Sequence, residues 1–244
     1  MRNRDIDIEG MVNVRDLGGF RTRTGQTTRH GVFVRGDAPY RISDRSRQQM
    51  IDRGLQTVID MRYAHELAQR PNRFAGHPQV DFKHIPLYVE TSYMGMIRQF
   101  RDLGGWYGTI LDQGGVPIQT ILGILAHAPA TTLIHCFIGK DRTGIMTALL
   151  LNLVGVSDAD IIDDYIQSQQ NLQAISADIQ SVRPFFVPKA QFENLIAAKH
   201  EYIDALLAHL ATNYTDAAGY MQSIGLADED VAAIRAKLLG AEGD

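Results

Sequence analysis

The chain has 244 residues, of which 45% are hydrophobic and 21% charged, the balance of a soluble globular protein with a full core. Its 24 basic and 28 acidic residues leave a net charge of −4, which weighs against a general nucleic-acid binder. A single cysteine excludes an intramolecular disulfide and a resolving-thiol relay, and no apolar run approaches the length of a transmembrane segment. The first residues, Met1 to Asp7, carry no apolar stretch of the kind a secretory signal needs. The expected location is cytoplasmic, with signal-independent secretion left open. Nothing in the pattern sets an oligomeric state.

In chain order, Met11 to Phe20 ends in a Gly18–Gly19 turn. Arg15 and Asp16 beside it are expected to form an internal ion pair. Val32 to Arg35 is a short strand. The Arg35-Gly36-Asp37 that ends it invites an adhesion reading, but without an exposed hairpin tip it is read as chance. Ser43 to Arg53 is a helix, with Ser43 as N-cap and Gly54 as stop. Leu55 to Met61 is then a strand, ending in Asp60-Met61-Arg62 with Glu66 shortly after. Charged residues at the carboxyl end of an α/β strand are where sites are built. Asp60 is therefore a candidate general acid, and Arg62 a candidate substrate contact or a partner for Glu66; the competing reading is a cap or ion-pair cluster.

Val80 to Leu87 is another strand. Met94, Met96, Ile97, Phe100, Leu103, Trp106 and Tyr107 are spaced for an amphipathic helix broken at Gly104–Gly105. Pro117 to Ala128 reads as a helix. Beyond the central motif, Gly155 is a stop, and Ser157 to Asp160 opens a helix through about Asp178. Val182 to Pro188 reads as a linker or as part of a lid. Three helices follow, over about Ala190 to Leu210, Asp216 to Ile224 and Asp228 to Leu239. No metal-ligand spacing appears among the eight histidines.

The most informative stretch lies between the β-prone run Thr131 to Ile134 and the helix-forming run Ile145 to Val154: His135-Cys136-Phe137-Ile138-Gly139-Lys140-Asp141-Arg142-Thr143-Gly144. A strand, a tight loop and a helix start together bind phosphate, because backbone N–H groups and the helix dipole converge there. Phe137, Ile138, Gly139, Lys140, Thr143 and Gly144 are the candidate substrate-binding residues, and Gly139 lets the backbone approach an anion closely. Arg142 offers a planar fork to two phosphate oxygens. A free cysteine has a pKa of about 8.5; N–H donors and Arg142 are expected to lower that of Cys136, the candidate nucleophile. The Thr143 hydroxyl is expected within reach of its sulfur. His135 is expected to orient the loop through a hydrogen bond to backbone.

His-Cys-x5-Arg-Thr-Gly at residues 135–144 resembles the signature of the protein tyrosine phosphatase superfamily. The fuller string is similar to a bacterial branch of atypical tyrosine/serine phosphatases and related lipid phosphatases. The resemblance runs from about residue 11 to 240. It includes Asn13-Val14-Arg15-Asp16-Leu17-Gly18-Gly19, with Val14 where the family has Phe, and Asp60-Met61-Arg62 with Glu66. It also includes Asp164-Tyr165 with Ser168, followed by Gln169 where Asn is usual.

The fold class expected is α/β: a central, mostly parallel sheet flanked by helices, with the phosphate loop between strand and helix. A helical C-terminal segment and a single domain over 1–244 are also expected. The resemblance implies lid segments, placed at 88–115 and 165–190, with the Gly104–Gly105 pair as a hinge. It implies phosphate-monoester hydrolysis through a phosphocysteine intermediate, with no cofactor and no metal.

The leaving oxygen needs a proton. Ordinary tyrosine phosphatases carry that acid on a Trp-Pro-Asp loop, and Trp106 is not followed by Pro-Asp. The resemblance implies Asp141 as the acid, with Asp60 second. Lys140 adds charge at the loop's rim, as in superfamily members that handle phosphoinositides. The substrate stays open between a phosphoprotein, on tyrosine, serine or threonine, and a phosphoinositide. A rhodanese-like sulfurtransferase and a non-catalytic phospholigand-binding pseudophosphatase are the rivals. The Cys-to-Arg spacing weighs against the first, and the presence of both Cys136 and Arg142 against the second.

Overall fold

In a computed structural model, which describes residues 4–88, 102–181, 183 and 187–240, one sheet is built from β1 (Arg15–Asp16), β2 (Phe33–Gly36), β3 (Leu55–Asp60), β4 (Asp81–His84) and β5 (Thr131–His135). The strand order is β1-β2-β5-β3-β4. Four strands run parallel, and β1 is antiparallel to β2 at one edge. This is the mostly parallel α/β sheet expected from the sequence.

Successive side chains of a strand face opposite sides, and two cores follow from that alternation. Phe33, Ile59 and Ile134 enter the larger core, with the helices Leu103–Gln113, Gly115–His127, Asp141–Leu153 and His200–Tyr214. Val34, Val58 and Leu133 enter the other, with Met50, Leu55 and Phe74. The register pairs His135 with Gly36 on one side and Asp60 on the other. The carboxyl ends of the three central strands thus meet where the Cys136 loop begins.

The helix Asp44–Asp52 is capped as expected, with Ser43 Oγ accepting from Ser46 N at 3.1 Å. Gly54 takes a left-handed φ of +97° and reverses the chain into β3.

Three expectations are corrected. The helix Leu103–Gln113 runs through Gly104–Gly105 instead of breaking there. Asp102 caps it, accepting from Gly105 N at 2.9 Å. A Cβ on Gly104 would stand 2.8 Å from Ala205 Cβ, and one on Gly108 would stand 2.8 Å from His209 Nδ1. These glycines permit a close crossing with the helix His200–Tyr214. Met94, Met96, Ile97 and Phe100 lie outside the described residues, as does the 89–101 stretch of the expected first lid.

The helix opened by Ser157 ends at Asn171. It continues as a tighter turn, Leu172–Ile175, and a short helix, Ser176–Ser181. The single helix expected over Ala190 to Leu210 is two, Lys189–Ile196 and His200–Tyr214. No Gly or Pro marks that break. Tertiary partners make it: Ala198 N donates to Gln169 Oε1 at 2.7 Å, and the Leu195 and Ala197 carbonyls accept from Lys140. Among the described residues no helix is long and apolar enough to cross a membrane.

Candidate functional site

β5 ends at His135, and the loop turns through Cys136 to Lys140 before the helix Asp141–Leu153. Cys136 is buried. His135 Nδ1 donates to the Cys136 carbonyl at 2.9 Å, and Nε2 lies 2.9 Å from Asn72 Nδ2, from which it accepts. One donor and one acceptor describe a neutral ring, and burial lowers the His135 pKa in keeping with that. The backbone bond expected of His135 is present.

The loop carbonyls are held from outside. Phe137 O accepts from Ala38 N at 2.9 Å. Ile138 O accepts from Asn13 Nδ2 at 3.0 Å. Gly139 O accepts from Asn13 Nδ2 at 3.2 Å and from Arg35 Nη2 at 2.7 Å. In each planar peptide the following N–H points opposite to the carbonyl. The N–H groups of Ile138, Gly139 and Lys140 therefore face away from these partners. Gly139 has φ +70°, and a Cβ there would lie 2.4 Å from Gly36 O; no other residue fits. The Ile138 side chain is core, packed with Leu172, Ile175 and Phe192. The Phe137 ring stacks on Tyr40 at 6.2 Å. A Cβ on Gly144 would lie 3.0 Å from the Tyr165 ring.

Glu66, in the helix Ala64–Gln69, pairs with Arg142 and not with Arg62. Arg142 Nη1 donates to Glu66 Oε2 at 2.7 Å and to Met61 O at 3.2 Å, and Nη2 donates to Glu66 Oε1 at 3.0 Å. Burial works against the Arg142 charge, but the Cys136 sulfur and the Glu66 carboxylate outweigh it and raise its pKa. Burial likewise pushes Glu66 up, and the Arg142 bonds bring it below the usual carboxylate range.

Arg62 is fully buried. Its guanidinium holds Asp60 at 2.7 Å and the Arg70 carbonyl at 2.8 Å, so it is no substrate contact. Asp60 is also fully buried and accepts from Asn72 Nδ2 at 3.0 Å. Burial alone would raise its pKa; the charge of His135 when protonated, with the bonds and charge of Arg62, holds it well below the usual range. Asp60 thus sits in an ion-pair cluster, the competing reading for it.

Lys140 is not at the rim either. It is fully buried, and Nζ donates to Leu195 O at 2.8 Å and Ala197 O at 3.1 Å and forms an ion pair with Asp141 Oδ1 at 2.9 Å. Asp141 stays partly exposed. Its Oδ1 also accepts from Tyr107 Oη at 2.5 Å, and Tyr107 Oη lies 2.7 Å from Tyr165 Oη. Burial, then the Asp141 charge, raise Tyr107 well above the ordinary phenol value, so it remains a donor. The Thr143 hydroxyl is buried and bonds neither Cys136 nor any other group among the described residues.

Asp141 and Arg142 open into a cavity of about 200 Å³ walled by Tyr63, Leu103, Trp106, Ile110, Leu195 and Ile196. The sequence hid this site wall. Its members come from two separated helices and the residue that opens a third, and the spacing in the sequence singles out only Leu103 and Trp106.

Behind the loop, Arg15 pairs with Asp164 at 2.9 Å, not with Asp16. Asp16 instead accepts from Gly18 N at 2.6 Å and Gly31 N at 2.7 Å. Arg4 and Arg35 hold the same Asp164 carboxylate at 2.8 and 2.5 Å. Arg15 Nη1 also donates to Asn13 Oδ1 at 2.6 Å. The Arg-Gly-Asp tripeptide is thus internal: Arg35 is spent on Asp164 and Gly139, and Asp37 Oδ1 accepts from Val12 N and Asn13 N, each at 3.0 Å.

A tyrosine phosphatase family model matches residues 6–240. A tyrosine-protein phosphatase of Nostoc commune is 30% identical over 85% of this chain and 74% of its own. The triple specificity protein phosphatase PtpB of Mycobacterium tuberculosis is 24% identical over 96% of this chain and 99% of its own. The crystal structure of P. aeruginosa TpbA aligns at a TM-score of 0.38 and 14% identity, over 68% of this chain and 84% of that one.

Proposed function

The chain belongs to the tyrosine phosphatase family, and on that premise we propose that it hydrolyses phosphate monoesters through Cys136, with phosphotyrosine as the preferred substrate. The observation that carries the preference is the cavity: apolar and aromatic walls rise from Asp141 and Arg142. A phenyl ring fits such walls, whereas the short polar arm of phosphoserine gains little from them.

The phosphate sits over the N–H groups of Ile138, Gly139 and Lys140, at the start of the helix Asp141–Leu153. Glu66 and Met61 occupy Arg142 Nη1 and one donor of Nη2. Nε–H and the other Nη2–H are left as a parallel pair for two phosphate oxygens. Cys136 Sγ, as thiolate, forms the S–P bond while the P–O bond to the leaving group breaks. The leaving oxygen takes a proton from Asp141. Water then attacks phosphorus, gives a proton to Asp141, and releases inorganic phosphate and the thiolate. Lys140 takes no part in reading the substrate, because its donors are already engaged.

The test is phosphate release, with EDTA present and Cys136→Ser as the blank. The panel is phosphotyrosine, phosphoserine and phosphothreonine peptides and mono- and bis-phosphorylated inositol lipids; the triple-specificity name of one relative is a reason to keep it broad. Phosphotyrosine is expected to lead the others in kcat/KM by tenfold or more, roughly the 1.4 kcal/mol or more that apolar walls supply to a ring. Equal rates on phosphoserine or on inositol lipids would refute the preference. Asp141→Asn is expected to slow alkyl esters more than activated aryl esters. Equal loss on both would remove Asp141 from the acid role.

A further inference from the structure

Three guanidinium groups share one carboxylate directly behind the phosphate loop. Arg4, Arg15 and Arg35 all contact Asp164, and the side chains of the four are 9%, 0%, 1% and 0% exposed. Two positive charges are in excess. Asp37 does not balance them: its Oδ1 serves the Val12 and Asn13 N–H groups, and its nearest cation is Arg41, at 4.0 Å. Burying cations without matching anions is costly, and apolar side chains would fill the same space more cheaply. Packing alone does not account for the cluster.

Its contacts point at the loop. Arg35 Nη2 holds Gly139 O, and Arg15 holds Asn13, whose amide holds Ile138 O and Gly139 O. Burial and the charge of Arg15 lower Arg35 to about 10, so it stays charged at neutral pH. The anions that pull it back up are Asp164 and the Cys136 sulfur.

We propose that Arg4, Arg15, Arg35 and Asp164 form a positively charged buttress that turns the loop carbonyls outward and lends the excess charge to the anion bound in front of them. Arg35 is a positioning residue that acts through the Gly139 peptide. Arg4 touches no described loop atom and acts through charge alone. The missing counter-charge is the bound phosphate together with the Cys136 thiolate.

The inference rests on the loop binding phosphate and not on turnover, so it is tested apart from catalysis. Inorganic phosphate is titrated calorimetrically into Cys136→Ser protein, alone and combined with Arg35→Met, Arg35→Lys or Arg4→Met. The expected dissociation constants rise tenfold or more for Arg35→Met, less for Arg35→Lys, and about threefold for Arg4→Met, with that last increment shrinking as salt is raised.

A second readout uses unsubstituted Cys136: the rate of alkylation by anionic iodoacetate relative to neutral iodoacetamide. A loosened loop changes both rates together. Loss of positive potential lowers the ratio, by threefold or more in Arg4→Met. If the Arg4→Met protein keeps both the parent ratio and the parent phosphate affinity, the charge role is overturned. If Arg35→Met binds phosphate within twofold of the parent, the positioning role is overturned. A Cys136→Ser parent that binds no phosphate would instead refute the reading of the loop itself.

Discussion

Replacing Lys140 with Met removes two hydrogen bonds and the ion pair with Asp141 while keeping the apolar stem. The Leu195 and Ala197 carbonyls lose the donor that holds the break between the helices Lys189–Ile196 and His200–Tyr214. A fully buried acceptor left without a donor costs about 1–3 kcal/mol; these two are half-buried, so the pair costs about 2 kcal/mol and at most about 6 kcal/mol. For a chain of this size 1 kcal/mol shifts Tm by about 2–4 °C, so about 2 kcal/mol gives a fall of roughly 4–8 °C. Differential scanning calorimetry reads this directly. Steady-state kinetics on the same protein is expected to lose phosphotyrosine and inositol-lipid turnover in parallel, because Leu195 and Ile196 are a wall of the cavity. The opposite pattern would refute the reasoning: a Tm within about 2 °C of the parent, with the loss confined to bis-phosphorylated inositol lipids. That result would mean that the ammonium faces the substrate.

Glu66→Gln takes the charge from the Arg142 clamp, where charge-assisted bonds are worth about 1.5–3 kcal/mol; the expected result is roughly tenfold weaker phosphate binding by calorimetry with little change in fold by circular dichroism. Gly139→Ala meets both the left-handed φ and the Gly36 carbonyl; phosphate release is expected to fall by about a hundredfold or more, the 1–3 kcal/mol of backbone strain being relieved by moving the loop. Asp37 supplies a pH test. Burial raises its carboxyl from 3.8 to about 6, so the native state holds the extra proton between pH 4 and 6 and loses stability as pH rises through that window. Urea unfolding of Asp37→Asn is expected to show a gain over the parent at pH 7, up to roughly 3 kcal/mol, that vanishes below about pH 4.

The phosphate loop and the parallel strands were legible because both are local patterns: a spaced string of residues, and apolar runs bounded by turns. The errors have one physical source, the assignment of partners by nearness in sequence. Arg15 and Asp16 are adjacent in β1, so their side chains leave opposite faces and cannot meet. Arg62 and Glu66 have helical spacing, but the helix begins only at Ala64, and Arg62 falls outside it. Lys140 was placed at the rim by its position in the loop and by the resemblance to members that handle phosphoinositides. The carbonyls that draw it in belong to a helix break that no Gly or Pro announces. Glu66 and Asp164 were both visible as motif members, and only the fold reveals that Arg142 and the three buried arginines are their partners.

The side chains that hold the Ile138 and Gly139 carbonyls come from far along the chain. Asn13 reaches Ile138 across 125 positions, Arg35 reaches Gly139 across 104, and Arg15 meets Asp164 across 149. Contacts at such separations form late in folding. During synthesis Cys136 emerges before Asp164 and Leu195 exist, when Arg15 and Arg35 still lack the carboxylate that fixes them and Lys140 lacks the carbonyls it donates to. On the proposed reading, its preference for anions arises only after both halves of the molecule have closed around it, so the reactivity of one sulfur atom would date the completion of the whole fold. A pulse of iodoacetate during refolding would time that moment.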